Sequence, residues 1–299
     1  MQALANLIET IGWNYIATFH SENPADIGAL EAFKTAANRT SICISASESV
    51  KQGNVAMSAF DSILRSFLPK LAPRVVVLFL PSDQLKHFFE AVGRSTGATN
   101  DAAQQIQWIV SSRGFTDTAL LTNGIPAGTL GIQPIALTPN TTQDFDDFYK
   151  ALTPANHDSA ANPWFRTFWQ TAYQCNLDGN SNFPANCTED HVQTHINSYQ
   201  RNPYVPAVLD SIKIFSEAIK FAQATLCPGS DGVCADLQQL SADLFYKYVV
   251  QVTTTGAANQ QIRLKPSGDL AVNTFTILNC KTADGVRCAL QKVMTIVGI

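Results

Sequence analysis

The chain has 299 residues, 45% of them hydrophobic and only 15% charged, with a formal charge of −4. At roughly 150 residues per domain the length predicts two domains, and the apolar share excludes a disordered tail. The absence of any block of Lys and Arg excludes a nucleic-acid binder, which needs such clusters to displace counterions, and a polybasic membrane-surface protein.

Along the chain, Ala3, Leu4, Leu7, Ile8 and Ile11 recur at helical spacing and Gly12 stops them. Residues 13–19 read as a buried strand, and Asp26 as the cap of a helix with Ile27, Leu30, Phe33 and Ala37 on its apolar face. A strand resumes at 42–44, and Phe60, Ile63, Leu64, Phe67 and Leu68 form a helix closed by Pro69. Residues 75–80 are a continuous Val/Leu/Phe strand, after which Ser82 caps a helix carrying Leu85, Phe88, Phe89 and Val92. Strands at 106–110 and 130–137 complete the series. Strands apolar throughout are buried on both faces, so the first half is predicted to be a doubly wound α/β unit with a parallel sheet. Ligands of such sheets bind outside the carboxyl ends of the strands, which makes 21–26, 81–82 (with Ser82) and 111–117 the loops of interest.

The second half changes character. Phe145, Phe148, Tyr149 and Leu152 mark a short helix, and residues 163–175 an aromatic-rich one. A long helix is predicted over 205–226 with Val208, Leu209, Ile212, Phe215 and Ile219 on one face, and another over 235–250. Strands return at 262–264, 274–278 and 293–297, too few for a second complete sheet.

The longest apolar run, 75–81, is far short of the ~18 residues of a membrane span, and residues 1–11 lack the basic start of a signal peptide. Read literally, that describes a cytosolic chain. The cysteines disagree. Six of the seven fall into local couples, Cys175 with Cys187, Cys227 with Cys234 and Cys280 with Cys288, across turn-rich loops of the kind that disulfides close in an oxidising compartment. Six cysteines allow 15 pairings, so the spacing favours the local set without proving it. Three sequons, at Asn38, Asn140 and Asn186, add to the extracellular reading.

Catalytic and metal patterns are absent from the sequence. His191 and His195 are four apart, but Val192 stands where a zinc protease has its glutamate, and the pair is expected on a solvent-facing loop or helix start. No nucleophile elbow, phosphate loop or dinucleotide fingerprint occurs. Asp146 and Asp147 are adjacent acids on a helix and are expected on a solvated face. Trp164, Phe165, Phe168 and Trp169 are expected to pack in a core. No enzyme, cofactor or metal is predicted.

Several blocks then resemble a known family. Gly12-Trp13-Asn14-Tyr15-Ile16-Ala17-Thr18, Ser21-Glu22, Glu31-Ala32-Phe33, Ile42-Cys43-Ile44, Arg74-Val75-Val76-Val77-Leu78-Phe79, Asn162-Pro163-Trp164-Phe165 with Phe168-Trp169, and Leu226-Cys227-Pro228-Gly229 run in the order of the ligand-binding region of metabotropic glutamate receptors, which are class C G-protein-coupled receptors. The resemblance covers nearly the whole chain. It implies an extracellular, two-lobed Venus-flytrap of the type I periplasmic binding-protein kind, which closes on an amino acid and signals as a dimer through a G protein. On that template the fold is incomplete: residues 1–130 would be lobe 2, 131–265 the second part of lobe 1, and 266–299 strands returning to lobe 2. The chain then looks like a fragment or a truncated paralogue, without the first half of lobe 1, the cysteine-rich segment and the membrane helices.

The resemblance also implies disulfides 175–187 and 227–234, offers no counterpart for 280–288, and leaves Cys43 a free or inter-domain thiol. The family's glutamate contacts are replaced. Ala25 stands for a tyrosine, Ser112 or Arg113 (the match is ambiguous by one residue) for an aspartate that holds the ligand ammonium, and Tyr204 for a lysine. Serine would lose the ammonium pairing and arginine would repel it. The expected ligand is therefore not glutamate but an amino acid-related molecule, anionic or uncharged, or the pocket is vestigial. The alternative function is a soluble binding or decoy protein, or a partner subunit that does not sense.

Overall fold

The computed structural model describes residues 1–111, 114, 125–134, 143–177, 179, 182–199, 201–202, 204–230, 232–257, 259–271, 273–282 and 288–298. Helix α1 (Gln2–Ile11) ends where expected. Gly12 adopts a left-handed φ of 83°, and the amides of Gly12 and Trp13 return to the carbonyls of Glu9 and Ile8. Strands and helices then alternate through β1 (Tyr15–Ser21), α2 (Pro24–Ala37), β2 (Cys43–Val50), α3 (Met57–Phe67), β3 (Val75–Phe79), α4 (Ser82–Arg94), α5 (Gly97–Ala103), β4 (Gln107–Val110) and β5 (Leu130–Pro134). After them come α6 (Gln143–Ala151), α7 (Phe165–Tyr173), α8 (Glu189–Asn197), α9 (Val205–Leu226), α10 (Ala235–Gln238), α11 (Ala242–Val249), β6 (Thr253–Thr255), β7 (Gln261–Arg263), β8 (Asn273–Thr282) and β9 (Cys288–Gly298).

The main sheet has seven strands in the order β2-β1-β3-β4-β5-β8-β9. The first five are parallel, β8 joins β5 antiparallel, and β9 joins β8 antiparallel. The strand shortage of the second half thus has a plain cause: β8 and β9 extend the first sheet, and among the described residues only β6 and β7 form a small one of their own.

Alternation along the strands builds a core on each face, because successive side chains point to opposite sides. Phe19, Val76, Leu78 and Val110 face α3 and α4, where they meet Phe60, Leu64, Phe88 and Phe89. Ile16, Val75, Val77, Phe79 and Ile109 face α1 and α2, where they meet Leu4, Ile8, Leu30 and Phe33. Each such side chain contributes about 1.5–3 kcal/mol by leaving water.

Contacts divide the chain into two compact units, residues 1–136 with 202–256 and 260–299, and residues 137–201 with 257–259. The first unit includes α9, α11 and β7, packed around Ile214, Ala218, Val249, Val252 and Ile262. The stripe of Val208, Ile212, Phe215 and Ile219 on α9 lies 51–63% exposed; the buried positions are Pro206, Asp210, Ile214, Ala218 and Ala222. The helix expected over 235–250 is two helices, since the Ser241 side chain accepts the Leu244 amide at 3.4 Å and starts α11 afresh.

The second unit holds α6, α7 and α8. Phe165 and Trp169 are buried at its centre, whereas Trp164 is 76% exposed and Phe168 is also exposed, so only half of that aromatic group is core. The expectation of solvent-facing histidines needs correcting. His191 does cap α8 at Thr188, but His195 is buried, its Nε2 donating to the Tyr149 carbonyl at 2.8 Å and its Nδ1 bonded to the Tyr173 hydroxyl at 2.6 Å. Burial raises the Tyr173 hydroxyl to about 12.

Asp146 is likewise not solvated. It is buried, accepts from the Tyr199 hydroxyl at 2.6 Å, and takes both Nε (3.0 Å) and Nη2 of Arg201. The Arg201 hydrogen bonds hold the Asp146 carboxyl below the usual carboxylate range. Disulfides join Cys175 to Cys187 and Cys227 to Cys234. Cys280 is also disulfide-bonded and buried, while the side chain of Cys288 lies outside the described residues. Cys43 is a free, exposed thiol.

Candidate functional site

The order β2-β1-β3-β4-β5 reverses direction between β1 and β3, because the chain leaves β1 towards β2 on one side and returns to β3 on the other. At such a switch point the helices that follow the two strands lie on opposite faces and leave a crevice at the carboxyl ends. That is the arrangement here: α2, after β1, packs on the Phe79 face, and α4, after β3, packs on the Phe19 face. The two strands run in step, with His20 opposite Phe79, so their carboxyl ends are level. β4 ends beside them, where the Ser111 amide donates to the Leu78 carbonyl at 2.9 Å.

Polar side chains are buried along this edge. Ser21 at the end of β1, Asn23 and Asp26 at the start of α2, Ser82 at the start of α4 and Ser111 after β4 are all buried. Among the described residues the Ser21 hydroxyl and the His20 Nδ1 have no hydrogen-bond partner. Leaving a buried hydroxyl unpaired costs about 1–3 kcal/mol, so Ser21 is a position where folding alone gives no return for the polar group. Around it the edge is tied down. The Gln84 amide, buried in the first turn of α4, donates to the carbonyls of Lys51 and Asn54 at 2.9 and 3.0 Å and pins the loop after β2. Ser49 bonds Glu22 at 2.8 Å, and the Glu22 amide donates to the Val50 carbonyl at 2.8 Å.

The caps differ from the expected ones. Asn23, not Asp26, is the N-cap of α2: its Oδ1 accepts the Asp26 amide at 2.9 Å, its Nδ2 donates to the Asp26 carboxylate, and Pro24 opens the helix. Pro81, not Ser82, is the N-cap of α4, which leaves the Ser82 side chain within the first turn. Two helix starts therefore meet the strand ends, each carrying roughly half a positive charge from its peptide dipoles, and each already holding an acid in its first turn, Asp26 in α2 and Asp83 in α4. Serine hydroxyls and helix amides supply hydrogen-bond donors along this edge, beside the carboxylates of Asp26 and Asp83.

Of the expected cleft residues, Ala25 and Ser82 are at this edge, Ala25 exposed in the first turn of α2 and offering no polar group. Ser112 and Arg113 lie outside the described residues. Tyr204 is half-buried at the N-cap of α9, its amide donating to the Asn202 side chain at 2.9 Å, and belongs to neither strand end. Asn38 and Asn186 are exposed, and Asn140 lies outside the described residues. Sequence reasoning named the 21–26 loop but not Ser21 itself. The available signal was a serine closing an otherwise apolar strand just before the cap sequence Asn23-Pro24-Ala25-Asp26.

Among the described residues no group of three or more His, Cys, Asp or Glu side chains could hold a metal ion. None of their helices is long and apolar enough to cross a membrane. Compared with known families, residues 1–283 match the model described as the receptor family ligand binding region.

Proposed function

The chain belongs to the receptor family ligand binding region, an extracellular, non-enzymatic, ligand-binding family whose α/β fold is of the type I periplasmic binding-protein kind, and from that premise we propose that it is the small-molecule-binding region of a metabotropic glutamate receptor-like, class C G-protein-coupled receptor. The ligand would be an amino acid or a related carboxylate, held at the β1/β3 switch point and sensed by lobe closure, which the parent receptor passes to a G protein as a dimer. In this reading residues 1–130 with 266–299 make lobe 2 and 131–265 the second part of lobe 1, a division that differs from the contact units, in which 202–256 group with 1–136. The pairing of β8 with β5 supports that return of the chain. A ligand shifts such an equilibrium only by its differential affinity for the closed state, so the contacts that matter are those completed on closure.

The observation that carries the reading is the buried Ser21 hydroxyl between two helix starts, which has no partner among the described residues. A ligand carboxylate would accept from it, while Ala25 lacks the hydroxyl, and Tyr204 the ammonium, of the residues that the resemblance places there for glutamate. The test is thermal unfolding of the chain with a panel of amino acids and small carboxylates. A ligand at 100 times its Kd stabilises by about 2.7 kcal/mol. At least one non-glutamate member of the panel is expected to raise Tm, and Ser21→Ala is expected to leave the unliganded protein as stable or more so while weakening that ligand about fivefold, one hydrogen bond of about 1 kcal/mol. A panel with no stabilising member, or a Ser21→Ala protein that binds unchanged, would overturn it.

A further inference from the structure

Strand β2 closes one end of the main sheet. Among the described residues it pairs only with β1, from Tyr15 opposite Cys43 to Ser21 opposite Val50, so its other side presents unpaired amides and carbonyls over eight residues. Such an edge is a template for adding another chain, and proteins usually blunt it with lysine, proline or a covering element. β2 has no lysine and no proline; its sequence is Cys43-Ile44-Ser45-Ala46-Ser47-Glu48-Ser49-Val50, with the single charge of Glu48. Between this edge and the end of α2 runs a groove of about 610 Å³, lined by Lys34, Ala37, Asn38, Ile42 and residues 43–47. Asn38 is the exposed C-cap of α2 and the acceptor of the sequon Asn38-Arg39-Thr40.

We propose that Asn38 carries an N-linked oligosaccharide and that this sugar is the occupant of the β2 groove, shielding the open sheet edge from association with other chains. In the step that attaches it, Nδ2 of Asn38 forms a bond to the anomeric carbon of an oligosaccharide carried on a lipid diphosphate. The bond from that carbon to the diphosphate oxygen breaks, the lipid diphosphate leaves with the electron pair, and the amide nitrogen gives up one proton. A hydrated, uncharged sugar suits this groove because its wall is mixed, with Ser45 and Ser47 beside Ile42 and Ile44; the Ser45 hydroxyl donates to the Ile16 carbonyl at 3.1 Å and the Ser47 hydroxyl accepts from Thr18 at 2.8 Å. The placement also covers an edge whose own strand carries one charged residue, Glu48. The inference draws on the family's extracellular setting and is independent of the ligand.

The test uses the whole chain, secreted from animal cells behind a cleavable leader and recovered from the medium, so that it has met the glycosylating machinery. Glycopeptide mass spectrometry reads occupancy at Asn38. The exposed thiol of Cys43, in the same groove, reports shielding through its reaction rate with a maleimide-polyethylene glycol, and light scattering reports association. Wild type and Thr40→Ser, which keeps the sequon, are expected to carry sugar at Asn38 and to remain monomeric. Asn38→Gln and Thr40→Ala are expected to lose the sugar, to label at Cys43 at least tenfold faster, and to form dimers and larger species. Enzymatic removal of the sugar from folded wild type gives the same comparison without a substitution that could disturb folding. An unmodified Asn38 in the secreted protein would overturn the site, and equal Cys43 labelling with and without sugar would overturn the shield. Thermal shifts on adding small carboxylates read the separate ligand question, so either reading can fail alone.

Discussion

Around Phe88 of α4, in the core on one face of the sheet, the rings of Phe19, Phe60, Phe89 and Trp108 lie at centroid distances of 5.0–6.4 Å, and all five side chains are fully buried. Around Trp169 in the unit of residues 137–201, Phe165, His195 and Tyr173 lie at 4.6–5.8 Å, but Tyr173 is only half-buried and Trp164 next to Phe165 stands in solvent. The sheet has an apolar core on each face, while the helical unit has one small cluster. A small unit buries a smaller share of its surface and draws less stability from it. The helical unit compensates with a crosslink, Cys175–Cys187, and a buried ion pair, Asp146–Arg201. The first unit has crosslinks too, Cys227–Cys234 and the disulfide of Cys280, but it adds them to two apolar cores, whereas the helical unit adds its links to one small cluster among the described residues.

Substitutions can break that contrast. The largest effect is expected from Phe88→Ala, at about 3–5 kcal/mol, since it opens a cavity in the sheet core and deletes the ring packing centred there. Chemical denaturation followed by near-ultraviolet circular dichroism would measure it, and a loss below about 1 kcal/mol would show that the sheet does not depend on this core.

In the helical unit the comparable sites are polar. Asp146→Asn is expected to cost about 3 kcal/mol, because it removes the carboxylate charge that the partly buried Arg201 guanidinium pairs with. The effect has a pH signature. The folded carboxyl titrates below its unfolded value, so its contribution is complete above about pH 4 and is lost as pH falls through the folded pKa. Amide hydrogen exchange of α6 and α8 as a function of pH should show that acid-side loss in wild type, and the Asp146→Asn protein should lack it.

Replacing Cys175 and Cys187 together by serine should cost about 3 kcal/mol, from the entropy of a 12-residue loop, with proteolysis beginning in the same unit. At the small end, Ile212→Ser on the exposed side of α9 should change stability by no more than ~0.5 kcal/mol, despite its place in an apolar stripe. A large loss there would mean that this face is covered in solution.

Much of the sheet was legible because its signals are local. Val75–Phe79 could only be a doubly buried strand, Gly12 a helix stop, and the turn-rich loops around Cys175 and Cys227 places for short disulfides. What went unread depended on partners distant in sequence. α9 has apolar residues on two faces, Val208, Ile212, Phe215 and Ile219 on one and Ile214, Ala218 and Ala222 on the other, and packing against Val249 and Ile262 chooses the second. Asp146 looked like one of two solvated acids because Arg201, which pairs with it, is 55 residues away. His195 followed the same rule, since the Tyr149 carbonyl it binds is 46 residues back.

For the site the division is similar. The loop 21–26 was visible as a strand-to-helix junction, but the buried state of Ser21 was not, because only the pairing of β1 with β3 brings the two helix starts to one edge.

By itself, then, the amino-acid sequence determined the α/β class, the order of the main elements and the family resemblance, since each rests on spacing within a few residues or on short contiguous blocks. The tertiary structure alone decided which face of α9 is buried, which acid is paired, that β8 and β9 complete the first sheet, and that Ser21 is enclosed without a partner among the described residues. Those outcomes depend on which distant segments compete for the same buried space, and no local pattern records that competition.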